Sequence, residues 1–580
     1  FETLREMAKI LCAILLFTQI SLQQDPSPES TVGFCRRFAH QSCVIDRRLY
    51  IDGGLVNYQT ANDDSRNVTS KYHFSCCVNY TPVLHITFSY DVIYMSRLTE
   101  LPLKDKWLLY NDLDNITTND FPQLRANLSK NASIPDVSGG VLWADSINKR
   151  FYLFGGEYAD GSTPNAPNLL AYDVLNNQWD SFGSPKESIL SVSWGSGVAV
   201  PELGVAYILG GWQSNSSVPG WSGPPFATSH LVEYKMDSQV WTNTSGPDTT
   251  PKVEGVLTYI PAGERGLLVY FGGATVSENG TVIPSPMSKI YLYDVLSTNW
   301  YTQTATGDLP PVRKRFCAGA VWAADHSSYN IYLYGGLGFG TNSSGYDDVY
   351  ILTLPSFQWI RWWQFEGDEE GKPHHSLTCN VVGGQMLIIG GTFPLKPPDQ
   401  HCDSPNTWGT HGLDLGKQRG SIWNNYRANL TSYVVPPEII ALVGGTPQGK
   451  ATVSAPSGGF NNSDLASYFS RTASIPLRAP TPGRVIPSFT SSGDTPRKLS
   501  TGAIVGIAVA GAVVLLALVT GIFLLYSKRN RGPSDTAPKF PVTQQFPSHS
   551  PSDVSPFSQS FSMAPQQAPV ELDVDTRYRS

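Results

Sequence analysis

Short apolar runs that end in a glycine pair recur along this chain at nearly constant spacing. They read LYIDGG at 49–54, FYLFGG at 151–156, AYILGG at 206–211, LVYFGG at 268–273, IYLYGG at 331–336 and MLIIGG at 386–391. From the second copy onward the first glycines recur every 55, 62, 63 and 55 residues. Units of this size, each too small to bury both of its faces, predict a repeat architecture rather than a string of independent domains.

Each repeat has the same internal order. About a dozen residues before most doublets lies another apolar stretch, such as GVLW at 140–143 or GAVW at 319–322. About 16 to 23 residues after a doublet comes an aromatic or aliphatic residue, with a Trp seven positions later: Tyr172 and Trp179, Tyr234 and Trp241, Tyr293 and Trp300, Leu352 and Trp359. This pattern predicts four short strands per unit, with the large rings filling the seams between units. Glycine is expected where a strand ends against neighbouring backbone and a Cβ would clash.

In these positions the chain resembles the kelch-repeat family and, in its full layout, fungal single-pass kelch-repeat proteins of the cell surface. The resemblance spans about Cys35 to Leu415 and implies an all-β kelch β-propeller. The fifth repeat departs from the pattern with Leu352 in place of Tyr, and the sixth places Trp423 ten residues after Leu413. Six doublets predict six blades over 35–445. A seventh doublet, Gly444-Gly445, lacks following Tyr and Trp strands, and Pro436-Pro437 before EIIALV suits a helix start. In the first repeat the doublet spacing is 102 residues, so 67–106 is expected to be an atypical insertion or a translated intron. The WLLYNDL run at 107–113 should resume the blade as its third strand.

The ends change the picture from a propeller alone to a surface protein. An apolar run at 10–20 behind Lys9 suits a signal peptide within 1–24; the six residues before Met7 have the look of a gene-model extension. Residues 501–526 are long and apolar enough for one transmembrane helix, and Lys528, Arg529 and Arg531 place the following side in the cytosol. Eleven Asn-x-Ser/Thr sequons, at Asn67, Asn79, Asn115, Asn127, Asn131, Asn215, Asn243, Asn279, Asn342, Asn429 and Asn461, all precede that run, as expected of an extracellular N-terminal part. Residues 446–498, rich in Pro, Ser, Thr and Gly, read as a disordered stalk, and 527–580 as a disordered cytoplasmic tail that could dock a protein. A net charge of −7 without Lys/Arg blocks argues against nucleic acid as a partner. Among seven cysteines after the signal, Cys379 with Cys402 is the expected disulfide, since both flank the sixth repeat.

Little in the sequence points to catalysis. GGTPQGKAT at 444–452 falls one residue short of a phosphate-binding loop, with Ala451 at the Mg²⁺ hydroxyl position. GGLGFG at 335–340 opens no helix and lacks the third glycine of a dinucleotide fingerprint. His374, His375, His401 and His411 cluster in sequence near Cys402 and Asp403, but do not match the Tyr, His and cross-linked Cys set of copper-holding kelch-type oxidases. They read as loop histidines, and no cofactor or metal is expected. The reading is a non-enzymatic surface protein that binds a protein or glycan through unequal loops on one propeller face. Trp212 and Trp221 in the third repeat and Trp408 in the sixth are its candidate anchors. An extracellular oxidase-type enzyme, or a structural wall or polarity organiser acting through its tail, are the alternatives.

Overall fold

The computed structural model describes residues 33–58, 103–104, 107–158, 169–185, 189–340, 343, 345–365, 373–393 and 402–487. The signal peptide, the bulk of the 67–106 insertion, the apolar run at 501–526 and the tail lie outside them. Among the described residues no helix is long and apolar enough to cross a membrane.

The repeats fold as antiparallel sheets, here called blades 1 to 6. Blade 2 illustrates the plan, with strands Val141–Asp145, Arg150–Phe154, Leu170–Asp173 and Gln178–Ser181 in spatial order. These are the early apolar run, the run into the doublet, the Tyr strand and the Trp strand predicted from sequence. Blade 1 takes Leu108–Ile116 as its third strand, so the blade does resume where the WLLYNDL run begins. Blades 3, 4 and 5 start at Ser196, Val256 and Cys317. Blade 6 comprises Thr378–Val382, Gln385–Ile389 and Thr410–Asp414, with a single bridge from Leu413 to Trp423 in place of a fourth strand. The first strands of successive blades pack side by side, and that of blade 1 meets that of blade 6 to close a ring of six among the described residues.

The seven-residue spacing has a simple geometric cause. Tyr172 and Trp179, Tyr234 and Trp241, Tyr293 and Trp300, and Leu352 and Trp359 are direct cross-strand partners over a tight turn. The three Tyr–Trp pairs bring their ring centroids to 5.4, 4.6 and 5.0 Å, distances at which aromatic pairs attract. Leu413 and Trp423 keep the same partnership across a longer loop. The Trp indoles also stitch blades together. Trp179 donates to Ser129 O at 2.8 Å, Trp300 to Ser245 O at 3.2 Å and Trp359 to Met287 O at 2.9 Å, each acceptor lying in the preceding blade.

The doublets do more than end a strand. In every blade the N–H of the second glycine donates to a carbonyl at the entry of the next blade. Gly54 reaches Val137, Gly156 reaches Val192, Gly211 reaches Lys252, Gly273 reaches Arg313, Gly336 reaches His374 and Gly391 reaches Arg37, at 2.7 to 3.0 Å. Both glycines of each pair have positive φ. A Cβ on Gly210 would lie 2.0 Å from Lys252 O, and one on Gly390 2.2 Å from Arg37 O. Only glycine allows that approach.

Two disulfides reinforce the ring, and they correct the expected Cys379–Cys402 pair. Cys379 instead bonds Cys317, and Cys402 bonds Cys35. Cys379 and Cys317 sit near the start of the first strands of adjacent blades, 62 residues apart, which is one repeat length. Cys402 lies in the loop that returns to the N-terminal edge, so its neighbour is the start of the chain. Cys43 is free and buried; Cys76 and Cys77 lie outside the described residues.

The stalk reading is corrected over 446–487, which folds back across the propeller. The face on which the doublets end is called upper. The lower face consists of the turns between first and second strands, and residues 430–487 cross those turns from blade 6 to blade 2. α1 (Pro437–Val443) starts at the expected prolines and buries Ile439 and Val443 against blades 5 and 6. Lys450 N–H then donates to Asp325 on the blade 5 turn. That carboxylate stands beside the loop at 444–452, where a phosphate would be repelled. α2 (Ser463–Phe469), capped by Asn462, buries Leu465 in the core between blades 4 and 5, and Gly263 N–H donates to Tyr468 O and Arg471 O. Arg478 then grips Asp145 and Asp237 at 2.5 to 3.0 Å, and Arg484 pairs with both oxygens of Asp173. A segment poor in apolar residues is thus held by a few rings and two bidentate arginines, contacts that average composition does not reveal.

Two outcomes follow. Gly210→Ala should destabilise the folded chain by about 3 kcal/mol or more, through left-handed strain plus backbone overlap. Gly220→Ala, at similar φ but with nothing within 4 Å, should cost about 1 kcal/mol; equal losses in denaturant titrations would refute the argument. The strap should also loosen in acid. Burial would raise the Asp173 pKa, but hydrogen bonds from Arg484 and Asn176 hold it well below the usual carboxylate range. Arg478 likewise lowers that of Asp237 against an opposing burial effect. Depressed folded-state values mean stability that is full at neutral pH and lost as pH falls below about 4. Hydrogen-exchange protection over 471–487, measured relative to the intrinsic rate at each pH, should therefore fall below that pH while blade strands stay protected, and Arg478→Ala should produce the same loosening at pH 7.

Candidate functional site

The upper end of the ring axis is built from one residue per blade. Two positions before the first strand of each blade stand Ala39, Gly139, Trp194, Glu254, Arg315 and Ser376, all with φ between 54° and 66°. Their backbones form a closed circle. Gly139 N–H donates to Ala39 O, Trp194 to Gly139, Glu254 to Trp194, Arg315 to Glu254, Ser376 to Arg315, and Ala39 to Ser376, at 2.7 to 3.0 Å. Six equivalent backbone units thus present six different side chains around one mouth.

Those side chains make the mouth chemically uneven. The Trp194 indole lies against Gly139, where a Cβ would come within 2.8 Å of the ring. On its other side the Arg315 guanidinium sits 3.8 Å from the ring centroid, a cation–π distance. Gly139 and Arg315 are opposite each other in the circle, so the ring spans the axis. Trp194 Nε1 donates to Glu157 at 3.1 Å, and Ser193 donates to the same oxygen at 3.2 Å. Glu254 bridges Arg315 at 3.1 Å and Lys314 at 3.0 Å. Burial works to raise the Glu254 pKa, yet these two cations hold it below its ordinary value. Beside them His375 is pushed down to about 4, by burial first and by Arg315 second, so it is neutral at pH 7. Outward from Lys314 a cleft is lined by Val282, Pro284, Leu337 and Phe339, and Val282 and Ile283 on its rim are exposed.

The predicted anchors are not brought together. Trp212 and Trp221 belong to blade 3 and Trp408 to blade 6, on opposite sides of the ring. Trp212 packs on Val253 and Ala274, and Trp408 on the core between blades 6 and 1. The Trp221 indole turns back on Gly223 O and Pro224 O of its own loop, at 2.9 and 3.1 Å. All three are partly buried, and Trp212 and Trp408 serve as covers. The loops that carry them do share the upper face, as expected. Trp194, Glu254 and Arg315 escaped the sequence reading because none belongs to a motif. Their signal was available as the variable position two residues before each first strand, occupied in turn by Ala, Gly, Trp, Glu, Arg and Ser.

Among the histidines, His374 and His411 converge on Asp403, with His411 Nε2 at 2.6 Å and His374 Nε2 at 3.1 Å from Oδ1. His374 is therefore a buried group and not a loop histidine. His375 lies apart from the trio by the mouth, and His401 is outside the described residues. Of the sequons, Asn115, Asn127, Asn131, Asn215, Asn243, Asn279, Asn429 and Asn461 are exposed. The buried asparagines Asn111, Asn148, Asn330 and Asn380 all lie outside sequons. Asn67, Asn79 and Asn342 lie outside the described residues.

No family model matches the chain. The chain is similar to a Kelch repeat-containing protein of Arthroderma benhamiae, 27% identical over 567 residues that cover 87% of this chain and 76% of the relative. A solved structure titled "Structure of YjhT" aligns with 66% of this chain and 96% of its own, at 11% identity and a TM-score of 0.41. Six doublets that each bond the next blade, Tyr–Trp cross-strand pairs and the alignment along most of that fungal relative's length make this chain similar to a kelch repeat-containing protein.

Proposed function

We propose that this chain is a non-catalytic surface receptor that captures a protein or glycan on its upper propeller face, around the Trp194–Arg315–Glu254 mouth. One observation carries the choice of face: the chain's own strap covers the lower turns of blades 2 to 6, through α1, α2, Arg478 and Arg484. The upper face has no such cover among the described residues. It offers a stacked Trp–Arg pair, salt-bridged cations and an apolar cleft beside them, the mixture found at interaction hot spots. Similarity to a Kelch repeat-containing protein supports a propeller that binds protein. The exposed glycine-rich upper loops and the absence of a catalytic motif support a binder over an oxidase-type enzyme.

The same proposal places the propeller outside the cell, held by the apolar run at 501–526 and followed by a tail that could dock a cytosolic protein. It draws support from the exposure of all eight described sequon asparagines, since glycan transfer needs access to the side chain. Peptide-N-glycosidase should shift the mass of the expressed full-length protein by several glycans. Protease added to intact cells should remove the propeller and spare a tail epitope, and a protected propeller would sink this topology.

For the binding face, full-length protein should be tested on a glycan array and by cross-linking capture of surface proteins. Replacing Trp194 and Arg315 together with Ala should weaken whatever is captured by about 30-fold or more, the scale of a hot-spot loss. Leu477→Ser on the exposed strap, where Leu477 is 98% accessible, should leave capture unchanged. Replacing Trp212, Trp221 and Trp408 should lower the melting temperature. Capture lost in a normally melting form of that triple variant would return the site to those rings.

A further inference from the structure

Beyond a partner-binding face, the sixth blade holds a cluster of groups that neither the mouth nor the core requires. His374 lies on the connection entering blade 6, Asp403 follows Cys402 in the loop returning to the chain start, and His411 belongs to the strand Thr410–Asp414. Their ligand atoms all fall within 4.8 Å of one another. His374 and Asp403 are almost fully buried, while His411 keeps about a quarter of its side chain accessible, at 26%.

The hydrogen-bond inventory around these groups does not close. The Tyr334 hydroxyl donates to Asp347 Oδ1 at 2.9 Å and stands 3.4 Å from His374 Nδ1. With its proton committed to Asp347, that oxygen can only accept, which favours a proton on Nδ1 and leaves a lone pair on Nε2. Nε2 faces Asp403 Oδ1 at 3.1 Å without hydrogen-bond alignment, and Asp403 Oδ2 is buried with no partner. Two acceptors that face each other while buried carry an uncompensated desolvation cost. A cation between them removes it.

We propose that His374, Asp403 and His411 bind one divalent transition-metal cation, of which zinc is the best fit. Two imidazoles and a carboxylate leaving a fourth position open are a ligand set that zinc accepts, with bonds of about 2.0–2.2 Å. Tetrahedral bonds of that length set neighbouring ligand atoms ~3.4 Å apart, so the two contacts to Asp403, at 3.1 and 2.6 Å, need to open by less than about 1 Å. The unpartnered Oδ2 gives the carboxylate freedom to turn. The Tyr334–Asp347 pair behind His374 supplies the outer support that orients a ligating imidazole. The fourth position faces the accessible side of His411. The ion would also pin the ring closure, because Asp403 N–H donates to Cys35 O at 2.7 Å beside the Cys35–Cys402 bond.

The test uses full-length protein stripped with a chelator, dialysed and titrated with zinc alone, followed by elemental analysis and thermal melting. The expected result is one zinc per chain and a higher melting temperature on zinc addition. His411→Gln, at the accessible edge, should fold normally and bind zinc ~100-fold or more weakly. Tyr334→Phe should weaken binding by about 10-fold. A folded wild type that retains less than a tenth of an equivalent of zinc and melts identically with and without it would overturn the proposal. So would undiminished zinc binding by folded His411→Gln.

Discussion

The fold depends on one contact made six times: the second glycine of each doublet bonding the entry carbonyl of the next blade. A single bond of this kind is worth about 1 kcal/mol net, but its value lies in where it fixes backbone. It sets the separation between one blade's second strand and the next blade's first, the distance at which the apolar faces interdigitate. A Cβ on the first glycine of blades 1, 2, 3 or 6 would lie 2.0 to 2.3 Å from a carbonyl oxygen of the next blade and force the two apart. The sixth bond, Gly391 to Arg37, joins the end of the ring to its start. There the chain supplies no shared blade, since blade 1 takes all its strands from the N-terminal part and blade 6 from the C-terminal part. The Cys35–Cys402 disulfide lies at the same closure, where a covalent link restrains the ring at its one break in chain continuity.

What was legible in the sequence is what repeats. Doublets, the Tyr–Trp spacing and the resumption of blade 1 at Trp107 each follow from a local geometric demand, so their residues recur and can be counted. In blade 1 the same register places Leu49 opposite Asn111 and Asn111 opposite Leu124, although no residue there matches the motif. The backbone tolerates this because Asn111, fully buried, donates its amide to Pro122 O. The disulfides were misread for the opposite reason. Proximity to one repeat suggested Cys379 with Cys402, whereas a ring makes equivalent positions in successive repeats neighbours, and makes the last repeat a neighbour of the first.

The strap shows where composition misleads. Residues 446–487 look unable to fold because they are rich in Pro, Ser, Thr and Gly, and an isolated chain of that kind would indeed pay more entropy than it regains. They do not fold in isolation. The propeller offers a preformed row of turn carboxylates and backbone groups, so Arg478 and Arg484 need only dock, each finding bidentate acceptors already positioned by the turns they close. Asp173 holds the amides of its own turn as well as Arg484, which makes turn and strap one electrostatic unit. Docking onto a rigid template costs far less order than building a core.

Repetition also explains why the candidate chemistry was invisible. The circle of six backbone bonds at the upper mouth demands only left-handed φ and an N–H at each position, and so leaves the six side chains unconstrained by the fold. Trp194 and Arg315 can meet only because Gly139 leaves room beside the ring, and Glu254 can be buried only because Lys314 and Arg315 neutralise it. The relevant unit is therefore the set of differences among repeats at one structural position, which no single repeat displays. His374, Asp403 and His411 stood close in the sequence, but their convergence on one point was not legible there, since they come from three segments that meet only once the sixth blade is complete and joined to the first. In a propeller, equivalence among repeats builds the frame, and function resides in the positions the frame leaves free.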